Sequence, residues 1–122
     1  MQIDYMLDKQ GRILSMHYTG TISVRDMENF WIEAISKELI KSDVKGFILD
    51  CGEAIFEIEE DETSLLTNFF RKNISIFHQK KFAYITKNPN QVIVPILLQE
   101  EEDNYESRPF STKEAALDWL LY

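Results

Sequence analysis

Two short segments of this chain are apolar on nearly every residue, and both lie between segments whose apolar residues recur every three or four positions. The first is Gly46-Phe47-Ile48-Leu49-Asp50-Cys51, closed by Gly52, and the second is Phe82 to Thr86. A strand without alternation is buried on both faces, and this places it inside a sheet with helices packed on it. The segment before the first run has Met27, Phe30, Trp31, Ala34 and Ile35 at i, i+3, i+4, i+7 and i+8, one face of a helix from Val24 to about Leu39. Ser23 caps it, with Asp26 three residues on. Between the two runs, Leu65, Leu66, Phe69 and Phe70 predict a second helix from about Asp61 to Lys72.

The ends of the chain complete the order. Ile3, Tyr5 and Leu7 alternate with polar neighbours, Asp8 to Arg12 form a turn, and Ile13 to Tyr18 read as a second strand ended by Gly20. On that strand Ile13, Ser15 and His17 share one face, and Leu14, Met16 and Tyr18 the other. Ile74 to Lys80 fits neither period. Asn88-Pro89-Asn90 turns into a third helix, roughly Gln91 to Glu102, where Pro95 is tolerable only near the first turn; the competing reading is an extended Val92-Ile93-Val94. Tyr105 to Phe110 is a short last strand, and Pro109 marks it as an edge or marks its end. Ser111 and Glu114 form a capping box for a C-terminal helix carrying Ala115, Ala116, Trp119 and Leu120. The order β-β-α-β-α-β-α-β-α predicts one α/β domain over 1–122, with a mixed, mostly parallel sheet of about five strands and about four helices.

Composition narrows function by exclusion. Thirteen basic against 21 acidic side chains give a net charge of −8, which argues against nucleic acid and anionic membrane surfaces. No apolar run approaches the ~20 residues of a membrane span, and the N-terminal residues lack the pattern of a secretory signal. A single cysteine, Cys51, allows no internal disulfide, so the expected address is the cytoplasm.

Several stretches resemble the SpoIIAA-like, or STAS-like, fold class that includes the bacterial anti-sigma factor antagonists. They are Gly20-Thr21-Ile22-Ser23 leading into the first helix, Phe47-Ile48-Leu49-Asp50, the strand Phe82 to Ile85 followed by Asn88-Pro89, and the ending Arg108 to Leu120. The chain is similar in particular to a branch of small bacterial proteins called SpoIIAA-like or STAS/SEC14-like. The resemblance implies a regulatory or protein-binding module, and its SEC14-like side implies a carrier of a lipid-like or other apolar molecule. In the antagonists the third strand leads into a short segment whose serine is phosphorylated. Here that stretch is Asp50-Cys51-Gly52-Glu53-Ala54, with no serine. The later hydroxyls of Thr63 and Ser64 follow six acids (Glu53, Glu57, Glu59, Glu60, Asp61 and Glu62), where a phosphate would meet like charge.

Candidate chemistry is sparse. Ligands of open α/β sheets bind beyond the carboxyl ends of strands, which marks Asp50, Cys51, Glu53, Thr86 and Asn88 as a candidate ligand or partner surface. Cys51 there could be a nucleophile, but acidic neighbours suppress a thiolate and an inert buried thiol is the stronger reading. His17 and His78 make no metal motif, and the acidic run lacks a calcium-loop pattern and reads as a solvated helix start. Four glycines leave no room for a phosphate cradle. Trp31, Phe30, Phe69, Phe70 and Trp119 read as core before pocket. The sequence therefore points to a non-enzymatic interaction module with no catalytic residues, cofactor or metal, a monomer or weak homodimer with another protein as its partner. A small apolar-ligand carrier is the alternative.

Overall fold

The computed structural model describes residues 2–101 and 105–122. Its order is β1 (Gln2–Leu7), β2 (Ile13–Ile22), α1 (Val24–Ser36), β3 (Gly46–Phe56), a 3-10 turn (Glu60–Glu62), α2 (Thr63–Lys72), α3 (Ile74–Phe77), β4 (Lys81–Ile85), α4 (Pro89–Glu101), β5 (Glu106–Phe110) and α5 (Lys113–Leu121). The five strands lie side by side in sequence order, β1 antiparallel to β2 and every later pair parallel. The expected mixed sheet is therefore present. One helix exceeds the expected four, because the ambiguous stretch after Asn73 closes a single turn, α3.

Strand parity divides the interior in two. Leu14, Met16 and Tyr18 of β2, Phe47, Leu49 and Cys51 of β3, and Phe82 and Tyr84 of β4 join the buried faces of α1, α2, α3 and α4 in the larger core. Trp31 is its centre, edge-on to Phe47, Phe70, Phe77 and Phe82 at centroid distances of 4.9 to 5.9 Å. Trp31, Phe30 and Phe70 are therefore core residues, as the helical spacing implied. On the opposite face Ile13, Ile48, Ala83 and Ile85 pack only against α5, through Ala116 and Leu120. Trp119 belongs to this smaller cluster, beneath Lys81 and Arg108 at about 5 Å.

Both strands expected to stop at glycines run on. β2 passes Gly20, whose φ of +77° only glycine adopts cheaply, and reaches Ile22. β3 passes Gly52 and reaches Phe56. A register shift between His17 and Thr19 realigns the two, so that Thr19–Ile22 pair with Glu53–Phe56. The first part of the acidic run is thus strand, with Ala54 and Phe56 buried and Glu53 and Ile55 exposed, rather than a helix start.

Helix boundaries differ for local reasons. Ser23 caps α1 in a full reciprocal box with Asp26. α1 ends at Ser36 because Glu38 adopts φ +57°, and the N–H groups of Glu38 and Leu39 donate back to Ile35 and Ala34 in a Schellman closure. α2 begins at Thr63, behind the 3-10 turn. α4 begins at Pro89, so the helical reading holds but Pro95 falls in the second turn, not the first, where its ring removes a backbone donor. The expected end of that helix, Glu102, lies outside the described residues. β5 begins at Glu106. Thr112, not Ser111, caps α5 by accepting from the Ala115 N–H at 3.2 Å, since the helix begins at Lys113.

Candidate functional site

α5 covers only the β3–β5 half of its face. The remaining half, beside the start of α5, is an open groove of about 380 Å³. Two rows of cross-strand partners form its floor and walls: Met6–Ser15–Ile48, and Asp4–His17–Asp50–Ile85. The cross-strand pair Tyr5–Met16, whose side chains belong to the opposite face, also lines it, and Lys113 stands at the mouth. The alternation of β1 and β2 puts these side chains on one face, and the β2–β3 register sets His17 beside Asp50.

The imidazole of His17 lies between two carboxylates. Its Nδ1 is 3.4 Å from Asp50 Oδ2 and its Nε2 is 3.6 Å from Glu53 Oε1. All three side chains are partly exposed, so these contacts orient the ring more than they stabilise the fold. With both nitrogens turned to carboxylates, the ring is a held polar contact rather than a base aimed at a nucleophile. Asp50 also accepts the Gly52 N–H at 3.1 Å, a turn-like clamp at the register shift. Asp4, Asp50 and Glu53 make this end acidic, while the floor is apolar. Among the described residues no group of three His, Cys, Asp or Glu is placed to hold a metal ion.

The sequence-based candidates divide into two sets. Asp50 and Glu53 meet around His17 on the groove side. Cys51 points the other way, fully buried in the larger core, with its Sγ donating to the Leu49 carbonyl at 3.4 Å. Burial pushes its thiol far up, and the charge of Asp50 adds to the shift, so it is the inert thiol and not a nucleophile. Thr86 is buried at the end of β4, its N–H donating to the Phe110 carbonyl at 2.9 Å. Asn88 is exposed and caps α4, accepting from the Gln91 N–H at 3.3 Å. These two stand at the same carboxyl end of the parallel strands but outside the groove, and they play structural parts there.

Sequence reasoning missed Gln91. This buried side chain donates to the Cys51 carbonyl and, at 3.0 Å, to that of Ala54, and accepts the Lys87 N–H at 2.7 Å. It ties α4 and the β4 exit to the middle of β3. A glutamine in the first turn of a helix gives no sequence signal of this. His17, Ser15 and Asp4 were visible as alternating strand residues, but their convergence on Asp50 needed the register.

Solved structures supply the comparison. The chain is similar to an uncharacterized protein of the DUF3478 family from Shewanella loihica PV-4 with a SpoIIAA-like fold, at 18% identity, covering 98% of this chain and 92% of that one with a TM-score of 0.65. It is also similar to the anti-sigma factor antagonist SpoIIAA in its unphosphorylated form, at 12% identity, 98% and 97% coverage and a TM-score of 0.58. No family model matches the sequence, and no curated protein matches it. The chain therefore has the SpoIIAA-like fold, as its motifs implied; at these identities the likeness is one of architecture.

Proposed function

We propose that this chain is a non-enzymatic regulatory or protein-interaction module that works without a phosphorylated serine. The observation that carries the reading is the condition of the third strand. β3 runs through Asp50-Cys51-Gly52-Glu53-Ala54 as paired strand, with Cys51 sealed inside and Asp50 and Glu53 engaged by His17. Neither a hydroxyl acceptor nor a helix start stands where a phosphate would be received. Nearby, the groove offers an apolar floor and an acidic rim, the chemistry that receives a partner's basic, apolar-stemmed side chains. Among the described residues no helix is long and apolar enough to cross a membrane.

A carrier of an apolar small molecule is the second reading. It is favoured by the groove's volume, about 380 Å³, near the lower end of the ~300–1,000 Å³ typical of ligand sites. Native mass spectrometry of the gently purified chain separates the two. A bare chain mass, together with a bound protein that is lost on Asp50→Lys and Glu53→Lys substitution, supports the interaction module. Extra mass that leaves on denaturation moves the carrier ahead. Substrate turnover abolished by His17→Ala overturns the non-enzymatic reading.

A further inference from the structure

The two edges of the sheet are treated differently. β5 carries Pro109, which has no donor to offer, next to the charged Arg108 and with Glu106 at the strand's start. β1 has no proline, lysine or bulge, and Tyr5, Met6 and Leu7 are 44%, 68% and 42% exposed. Its backbone is arranged for a further strand. The Asp8 N–H donates to the Ile13 carbonyl at 3.0 Å, which makes Asp8–Ile13 a hydrogen-bonded pair of the β1–β2 ladder. Hydrogen-bonded pairs alternate in an antiparallel ladder. Met6–Ser15, Asp4–His17 and Gln2–Thr19 are therefore the inward-bonded pairs, and Ile3, Tyr5 and Leu7 turn their N–H and C=O groups outward.

We propose that β1 is a homodimer edge, pairing antiparallel with β1 of a second copy in a register centred on Tyr5. A twofold axis perpendicular to the sheet keeps each face on its own side, so only residues of equal parity can oppose one another. Two centrings remain near the middle of the strand. Centring on Asp4 sets Asp4 against its own copy, a like-charge pair. Centring on Tyr5 sets Tyr5 against Tyr5, Ile3 against Leu7 and Asp4 against Met6. All three outward-facing residues then meet outward-facing residues, about six ladder bonds across the axis. On the α1 side, the partner's Leu7 is delivered opposite Ile3. There a hollow of about 270 Å³ lies between β1 and α1, lined by Ile3, Phe30, Asn29 and Glu33. The Tyr5 ring already leans on Phe30, edge-on at 5.9 Å, which fixes it for an aromatic pair across the axis. The joint adds no contact beyond a strand and its neighbours, so association is weak and concentration-dependent. Each copy carries −8, so added salt strengthens it. The inference is independent of what fills the groove.

The test is sedimentation equilibrium of the full chain with three variants. Tyr5→Pro removes an outward donor and none of the β1–β2 bonds, so the fold survives, as circular dichroism checks, while self-association weakens by at least about tenfold. Opposed Cα atoms of a bonded pair stand ~5.5 Å apart, within disulfide reach. Mild oxidation therefore crosslinks Tyr5→Cys into a dimer and leaves Asp4→Cys monomeric. A parent chain that stays monomeric at every concentration and salt overturns the proposal. So does a dimer indifferent to Tyr5→Pro, or one that crosslinks through Asp4→Cys instead.

Discussion

Replacing Gln91 tests whether one side chain holds α4 to the sheet. Three backbone groups depend on it: the buried carbonyls of Cys51 and Ala54 and the part-buried N–H of Lys87. Gln91→Met keeps the length and volume of the side chain and removes every polar atom. Each orphaned buried group costs ~1–3 kcal/mol, and such costs are not additive. Backbone relaxation and an entering water recover part, which leaves a loss of about 3 kcal/mol. For a domain of this length, with an unfolding entropy of ~2.1 cal/mol/K per residue, that lowers Tm by about 12 °C. Gln91→Glu separates hydrogen bonding from packing. The charged carboxylate faces two carbonyls and donates to neither, whereas the protonated acid restores one donor. Burial and the facing carbonyls raise its folded-state pKa, so the variant is most stable below the unfolded value of ~4.3 and loses stability as pH rises above it. Thermal unfolding followed by circular dichroism and by the fluorescence of buried Trp31 reads both variants. A Gln91→Met loss under about 1 kcal/mol, or a Gln91→Glu profile parallel to that of the parent, refutes the staple.

Two further outcomes follow from buried groups. Burial raises the thiol of Cys51 and the hydroxyls of Tyr18 and Tyr84, so above pH ~8.5 the native state holds a proton on Cys51 that the unfolded chain has released. Stability is whole below that pH and falls by ~1.4 kcal/mol per pH unit for this group as pH rises toward 10, which urea unfolding at several pH values measures and Cys51→Ala removes. A β-carbon at Gly46 would sit 2.6 Å from the Lys81 carbonyl and 2.7 Å from Leu120 Cδ2. Gly46→Ala therefore costs ~1–3 kcal/mol by parting β3 from β4 and α5, and a Tm within 2 °C of the parent contradicts this.

The parts of the fold legible in the sequence were those set by apolar period. Trp31 and Phe30 repeat at helical spacing, and β2 alternates so plainly that Ser15 and His17 were placed on the correct face. The errors gathered where a residue's usual meaning was overridden by its neighbour strand. Gly20 and Gly52 read as terminators, but each lies inside a strand whose parallel partner runs on beside it. At Gly52 a β-carbon would meet only the flexible end of the Lys87 side chain, Cε at 2.8 Å, which can move aside, so the glycine there neither ends the strand nor is demanded by it. The candidate site was half legible for the same reason. Asp50 and Glu53 were singled out as strand-end acids, but His17 joins them only through a register that sequence spacing does not state.

The missing serine and the long third strand are linked by pairing. Thr19–Ile22 have their parallel partners in Glu53–Phe56, and Phe56 and Ala54 bury themselves on the inner face. Starting a helix at Cys51 or Gly52 would strip those four β2 residues of their ladder. It would also release the two carbonyls held by Gln91 and expose Ala54 and Phe56. The losses exceed what a helix N-terminus gains from nearby acids, which is ~0.3–1 kcal/mol each. The segment therefore stays extended, its acids turned to the open side where His17 meets them. Any regulation of this chain through Asp50 to Ala54 must act on that exposed edge of carboxylates and imidazole, because altering the backbone there would unzip the centre of the sheet.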